Sequence, residues 1–122
     1  MSTINLEGTE DTPKIMLDPA NGIYEISGRS LPEDCASFYK PILEWLDNFS
    51  PSSKMDFNIK LDYFNTASSK MILDILTRLE KIKNTGKDVK VIWSHSEDDE
   101  DMQEAGEEFS ELVEVPFEIK AY

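Results

Sequence analysis

Histidine and cysteine are almost missing from this chain, which has one of each, His95 and Cys35, in 122 residues. A lone cysteine cannot close an internal disulfide, and no paired histidine motif stands near it to suggest a reactive thiol. Its place in a helical apolar stripe fits a small buried residue. His95 follows a strand-like run and reads as a surface histidine of no special role. Basic residues are also few: 12 against 25 acids, a formal net charge of −13. Phosphate backbones and anionic membranes are repelled by such a surface, and long-range steering favours a basic partner. No run approaches the roughly 18–20 apolar residues of a membrane span, and no basic-then-apolar signal peptide opens the chain. The expected location is the cytosol. Walker and dinucleotide glycine loops are missing, as is the Gly-x-Ser-x-Gly elbow. Eight acids crowd Glu97 to Glu108, yet the stretch lacks the glycine and ligand spacing of an EF-hand. A solvated helix start fits it better. No catalytic constellation, metal set or cofactor motif is left.

What is present is the pattern of one α/β domain over residues 1–122. Met55, Phe57, Ile59, Leu61 and Tyr63 alternate with Asp56, Asn58, Lys60 and Asp62, the period of a strand with one buried face. Met71, Ile72, Ile75, Leu76, Leu79 and Ile82 then trace the stripe of a helix starting near Ala67. Upstream, Pro13–Leu17 and Ile23–Ser27 flank Asp18-Pro19-Ala20-Asn21-Gly22, the turn chemistry of a β-hairpin. Ile4 and Leu6 suit a short added edge strand.

Ser30-Leu31-Pro32-Glu33 has capping-box spacing and is expected to open the first helix. Pro41 lies inside the helical pattern that follows and is expected to bend or divide it. Val89–Trp93 reads as a strand, Asp101–Leu112 as a third helix, and Val113 to Ala121 as an alternating last strand. The order is β-β-α-β-α-β-α-β. Clean alternation argues against a sheet covered on both faces, so a mixed sheet with helices mainly on one face is expected.

Between the central strand and its helix lies Asn65-Thr66-Ala67-Ser68-Ser69-Lys70. Backbone N–H groups and the positive end of the helix dipole converge there. Thr66 has two readings, an N-cap hydroxyl or a regulatory phosphosite.

The element order resembles the STAS domain of anti-sigma factor antagonists. Three segments are more specific. Gly28-Arg29-Ser30-Leu31-Pro32-Glu33, Phe38-Tyr39-Lys40-Pro41-Ile42-Leu43-Glu44-Trp45-Leu46 and Tyr63-Phe64-Asn65-Thr66-Ala67-Ser68-Ser69-Lys70 resemble the SiaC family of biofilm-regulating phosphoproteins. The resemblance implies a non-enzymatic protein phosphorylated at Thr66 by a dedicated Ser/Thr kinase and dephosphorylated by a PP2C-like phosphatase. Unphosphorylated, it would bind a diguanylate cyclase and promote cyclic-di-GMP synthesis. An anti-sigma kinase is the alternative effector. Related sequences often carry serine where this one has Ala67. If the strands before them are parallel, the two loops share one rim, with Arg29, Ser30, Glu33, Asn65, Ser68 and Ser69 expected on the docking face.

Overall fold

The computed structural model describes residues 2–122. Six strands form one sheet in sequential order: β1 (Ile4–Leu6), β2 (Lys14–Asp18), β3 (Ile23–Ser30), β4 (Met55–Phe64), β5 (Val89–His95) and β6 (Phe117–Ala121). The first three are antiparallel, and β3 through β6 run parallel. Helices α1 (Cys35–Asp47), α2 (Thr66–Asn84) and α3 (Glu100–Leu112) make the three crossovers. Successive right-handed crossovers that add strands in one direction place their helices on one side. The buried apolar side chains of all three helices join Phe57, Ile59, Val91 and Trp93 in a single core cluster. The opposite sheet face carries Asp56, Asn58, Lys60, Lys90, Glu118 and Lys120, all at least partly exposed. The mixed sheet and single-domain α/β architecture agree with the sequence pattern, and Ile4–Leu6 does add the edge strand.

The hairpin between β2 and β3 forms as its turn residues dictate. Pro19–Asn21 make one 3-10 turn, and Gly22 closes it at φ 66°, a left-handed conformation that glycine adopts without strain. Asn21 Nδ2 donates to Asp18 Oδ2 at 2.7 Å across the turn.

Four expectations need correction. Ser30 does not cap α1, because β3 continues through Ser30, which pairs with Phe64 of β4. The cap is Asp34, whose carboxylate accepts from the Ser37 N–H at 3.2 Å and its hydroxyl at 2.9 Å. Pro41 does not divide α1, which runs unbroken from Cys35 to Asp47. Pro41 is exposed, while Tyr39, Ile42, Trp45 and Leu46 are buried, so packing on the core face holds the helix across the missing bond. The last strand starts at Phe117, not Val113: Val113 and Val115 are buried in the loop ahead of it, although the Pro116 carbonyl accepts from the Val91 N–H at 2.8 Å. His95 is no surface residue. It ends β5 at 5% exposure, with Nδ1 2.8 Å from the Ser96 carbonyl oxygen, so Nδ1 carries a proton and donates it.

The central strand departs from strict alternation at one place. Gly28 pairs with Leu61 but Arg29 pairs with Tyr63, so Asp62 is an extra residue in β4. Gly28 sits at φ 99° beside this bulge. One extra residue reverses the face of everything after it. Tyr63, expected in the buried set, is 47% exposed instead. Phe64 turns toward the helices, its ring 6.4 Å from that of Trp93 and 6.2 Å from that of Phe109.

Candidate functional site

The bulge delivers the hydroxyl-rich segment to the rim. Just past it the Asn65 N–H donates to the Ser30 carbonyl at 3.0 Å, joining the end of β4 to the end of β3. Asn65 is the N-cap of α2. Its backbone is extended (φ −88°, ψ 176°), and its side-chain Oδ1 accepts from the Ser68 N–H at 2.8 Å. The Ser69 N–H donates to the Asn65 carbonyl at 3.0 Å. Thr66 is therefore the first helical residue and not the cap that one reading of the sequence expected. Its side chain is exposed, as is that of Ala67. The first N–H groups of a helix have no partner within it, and the dipole there favours negative charge.

Beneath this turn lies a chain of buried hydroxyls. Ser30 and Ser68 are each 0% exposed. Ser68 Oγ donates to the Ser30 carbonyl at 2.8 Å, and Ser30 Oγ donates to Ser68 Oγ at 2.8 Å. Having used its one proton, Ser30 Oγ accepts from the Tyr39 hydroxyl of α1. Burial pushes the Tyr39 hydroxyl up to about 12, so it stays protonated and able to donate through the neutral range. Cys35 Sγ lies 3.5 Å from Ser68 Oγ, buried as its stripe position suggested. The chain runs from α1 through β3 to α2, each bond polarising the next. Its physical result is a fixed entry to α2.

The two loops thus share one rim, as parallel strands require, but their residues divide by role. Thr66 is exposed, and Asn65 and Ser69 are half-buried. Glu33 is exposed in the loop before α1. Arg29 is exposed too: its Nε donates to the Glu10 carbonyl at 3.1 Å, and its guanidinium carbon sits 5.5 Å from the centre of the Tyr63 ring. Ser30 and Ser68, expected on a docking face, are instead enclosed, and their hydroxyls are fully used inside the protein. Sequence reading missed Tyr39 as the far end of this chain. A hydroxyl-bearing ring inside an apolar helical stripe was the available signal.

Two adjoining depressions flank the rim beside α3. One, about 310 Å³, is lined by Asp62, Tyr63, Phe64, Asp99, Asp101, Met102 and Ala105. The other, about 290 Å³, is lined by Phe64, Ser69, Ala105, Glu108, Phe109 and Leu112. Phe64 and Ala105 belong to both. A separate hollow between α1 and α2, around Leu43 and Met71, touches none of the rim residues. Among the described residues no cluster of His, Cys, Asp or Glu is arranged to hold a metal ion, and no helix is long and apolar enough to cross a membrane.

Fold and rim together define a single-domain α/β protein that presents an exposed threonine on a rigidly anchored helix start. The sequence matches the profile of the SiaC family regulatory phosphoproteins over residues 6–122, and the chain belongs to that family. It is 32% identical over 124 residues to an uncharacterized protein of Pseudomonas aeruginosa (strain UCBPP-PA14), covering 100% of this chain and 98% of that protein. Its structure is similar to that of SiaC of Pseudomonas aeruginosa, with a TM-score of 0.90, 31% identity and full coverage of both chains. It is also similar, at TM-score 0.89 and 30% identity over 98% of this chain and 99% of the other, to a chain in the crystal structure of the diguanylate cyclase SiaD in complex with its activator SiaC.

Proposed function

We propose that this chain is a non-enzymatic regulator that binds and activates a diguanylate cyclase when unphosphorylated, and that phosphorylation of Thr66 switches it off. The observation carrying this reading is the exposed Thr66 at the first helical position, held by an Asn65 cap that does not use the threonine hydroxyl. Membership of a phosphoprotein family and likeness to a SiaC chain crystallised with the cyclase SiaD support the effector class. A Ser/Thr kinase and a PP2C-like phosphatase are the converting enzymes this reading requires.

The chemistry is simple. A phosphate of about −1.5 to −2 charge on Thr66 is tolerated by the helix dipole and the uncapped first-turn N–H groups, so the domain stays folded. It enlarges the rim and brings a hydration shell that a docked partner must strip. A loss of about 3–4 kcal/mol at the interface weakens binding several hundred-fold, enough for an off state. Neighbouring Ser68 is not an equivalent target, being fully buried and bonded to Ser30.

The test is titration of a cognate cyclase with free and phosphorylated protein, with cyclic-di-GMP production as readout and mass spectrometry locating the phosphate. Stimulation by the free form alone, with phosphate on Thr66, is the expected result. Phosphate on Ser69 moves the residue assignment. Equal stimulation by both forms removes the switch. Binding to an anti-sigma kinase and to no cyclase overturns the effector.

A further inference from the structure

α1 packs along α2, whereas α3 packs chiefly on β4, β5 and β6, leaving a groove between α2 and α3. One depression lies in it, beside Ser69 of α2; the other adjoins it across Phe64 and Ala105, between the end of β4 and the start of α3. Its floor is aromatic: the Phe64 and Phe109 rings stand 6.2 Å apart there, over the fully buried Trp93. Leu112 at its lower lip is 63% exposed, the most exposed large apolar side chain among those described. Every charged residue lining either depression is an acid, and no lysine or arginine lines them. The whole chain adds a net charge of −13.

We propose that this groove is a docking site for a cationic amphipathic segment of a partner protein, whose apolar side chains seat on Phe64, Phe109 and Leu112 while flanking lysines or arginines meet Asp99, Asp101 and Glu108. The proposal deepens the regulatory reading above and rests on it for the identity of the partner, though not for the chemistry of the groove. An apolar floor contributes affinity by removing water from both surfaces. An acidic rim steers cations in and rejects an acidic competitor. A second copy of this chain, equally acidic, is disfavoured by the same rim. Ser69 lines the groove, and Thr66 lies three residues earlier on the same side of α2, one turn up. A phosphate there leaves the attraction of a cation intact but obstructs seating at the upper lip.

The experiment uses the full chain and two fluorescein-labelled peptides of helical spacing, one of leucine and lysine and one of leucine and glutamate. The leucine–lysine peptide is expected to bind, more weakly in high salt, with NMR shift changes concentrated at Phe64, Ala105, Phe109 and Leu112. Leu112→Asp is expected to weaken binding at least tenfold. Leu6→Asp, a substitution of an exposed leucine on the far edge strand, is expected to leave it unchanged. Equal binding by wild type and Leu112→Asp, equal weakening by Leu6→Asp, or equal affinity for the acidic peptide overturns the proposal. Cyclase stimulation is measured in parallel. If wild type stimulates and Leu112→Asp does so equally well, the groove is not the effector site. If the peptide binds as described and no cyclase responds to wild type, the groove stands and the cyclase reading falls.

Discussion

Gly106 of α3 lies directly on the indole of Trp93, so that a Cβ at position 106 would stand 2.5 Å from the ring Cδ1 and 2.7 Å from Nε1. Trp93 is 0% exposed, and its Nε1 donates to the Met102 carbonyl at 3.0 Å, so the ring has nowhere to move. Helix α3 is set at this close distance by the missing side chain. On helix propensity alone Gly106→Ala would stabilise by roughly 1 kcal/mol. Here overpacking wins, and the substitution is expected to destabilise by about 1–3 kcal/mol, read as a lowered denaturant midpoint. A rise in the midpoint would show that α3 is free to shift.

The two residues at the start of α2 separate cap from switch. Asn65→Ala removes the acceptor for the Ser68 N–H and is expected to cost about 1 kcal/mol. Thr66→Ala changes an exposed side chain with no part in the cap and is expected to stay within about 0.5 kcal/mol of wild type. It should also abolish phosphate incorporation while keeping effector binding. Urea unfolding of both variants checks the first pair of values, and a kinase reaction followed by mass spectrometry checks the rest.

Tyr39→Phe tests the buried hydroxyl chain. It removes the donor to Ser30 Oγ and leaves that oxygen with one partner fewer in a site without water access. A loss of about 0.5–1.5 kcal/mol is expected, from an otherwise isosteric change. Because the chain fixes the entry to α2, amide exchange at Thr66–Ser69 should speed up more than at β5. Uniform acceleration across the protein would leave the chain with no local role.

Asp34 carries a pH dependence. The Ser37 backbone N–H, and next the Ser37 hydroxyl, hold its carboxyl below the ordinary carboxylate value. A group whose folded value is depressed contributes stability above its unfolded value and loses it as pH falls through the folded one. The contribution should therefore be complete above about pH 4 and fade below it. Asp34→Asn retains a capping oxygen without the charge, so its stability difference from wild type should shrink on acidification. Thermal melts at pH 3 and pH 6 measure this.

Much of the architecture was written in periodicity, and the departures occur where a partner element decides. Met55 to Leu61 alternate as a buried strand should, since each residue answers only to its own face of the sheet. Tyr63 and Phe64 break the pattern because their register is set across the gap by Arg29 and Ser30, which no local period encodes. Ser30 and Glu33 have the spacing of a capping box, but so does the real cap at Asp34 and Ser37; pairing of Ser30 with Phe64 settles the contest. Val113 and Val115 alternate like a strand, yet their burial serves the loop after α3. At the site, Thr66 and its rim were legible from the helix start. Burial of Ser30 and Ser68 was not, because it arises from Tyr39 and Cys35 on another helix.

The extra residue at Asp62 acts on the strand as a phase shift. Upstream of it β4 keeps step with β3; downstream every side chain is inverted with respect to the upstream count. Substitutions in β4 change one contact each, whereas loss of Asp62 would restore the step. Leu61, Tyr63 and Phe64 would then pair in unbroken sequence with Gly28, Arg29 and Ser30, with Tyr63 still outward, Phe64 still toward the helices and the Asn65 N–H still opposite the Ser30 carbonyl. The bulge thus absorbs one surplus residue at Asp62, and cross-strand pairing with Arg29 and Ser30, more than the local count, keeps the threonine at the rim.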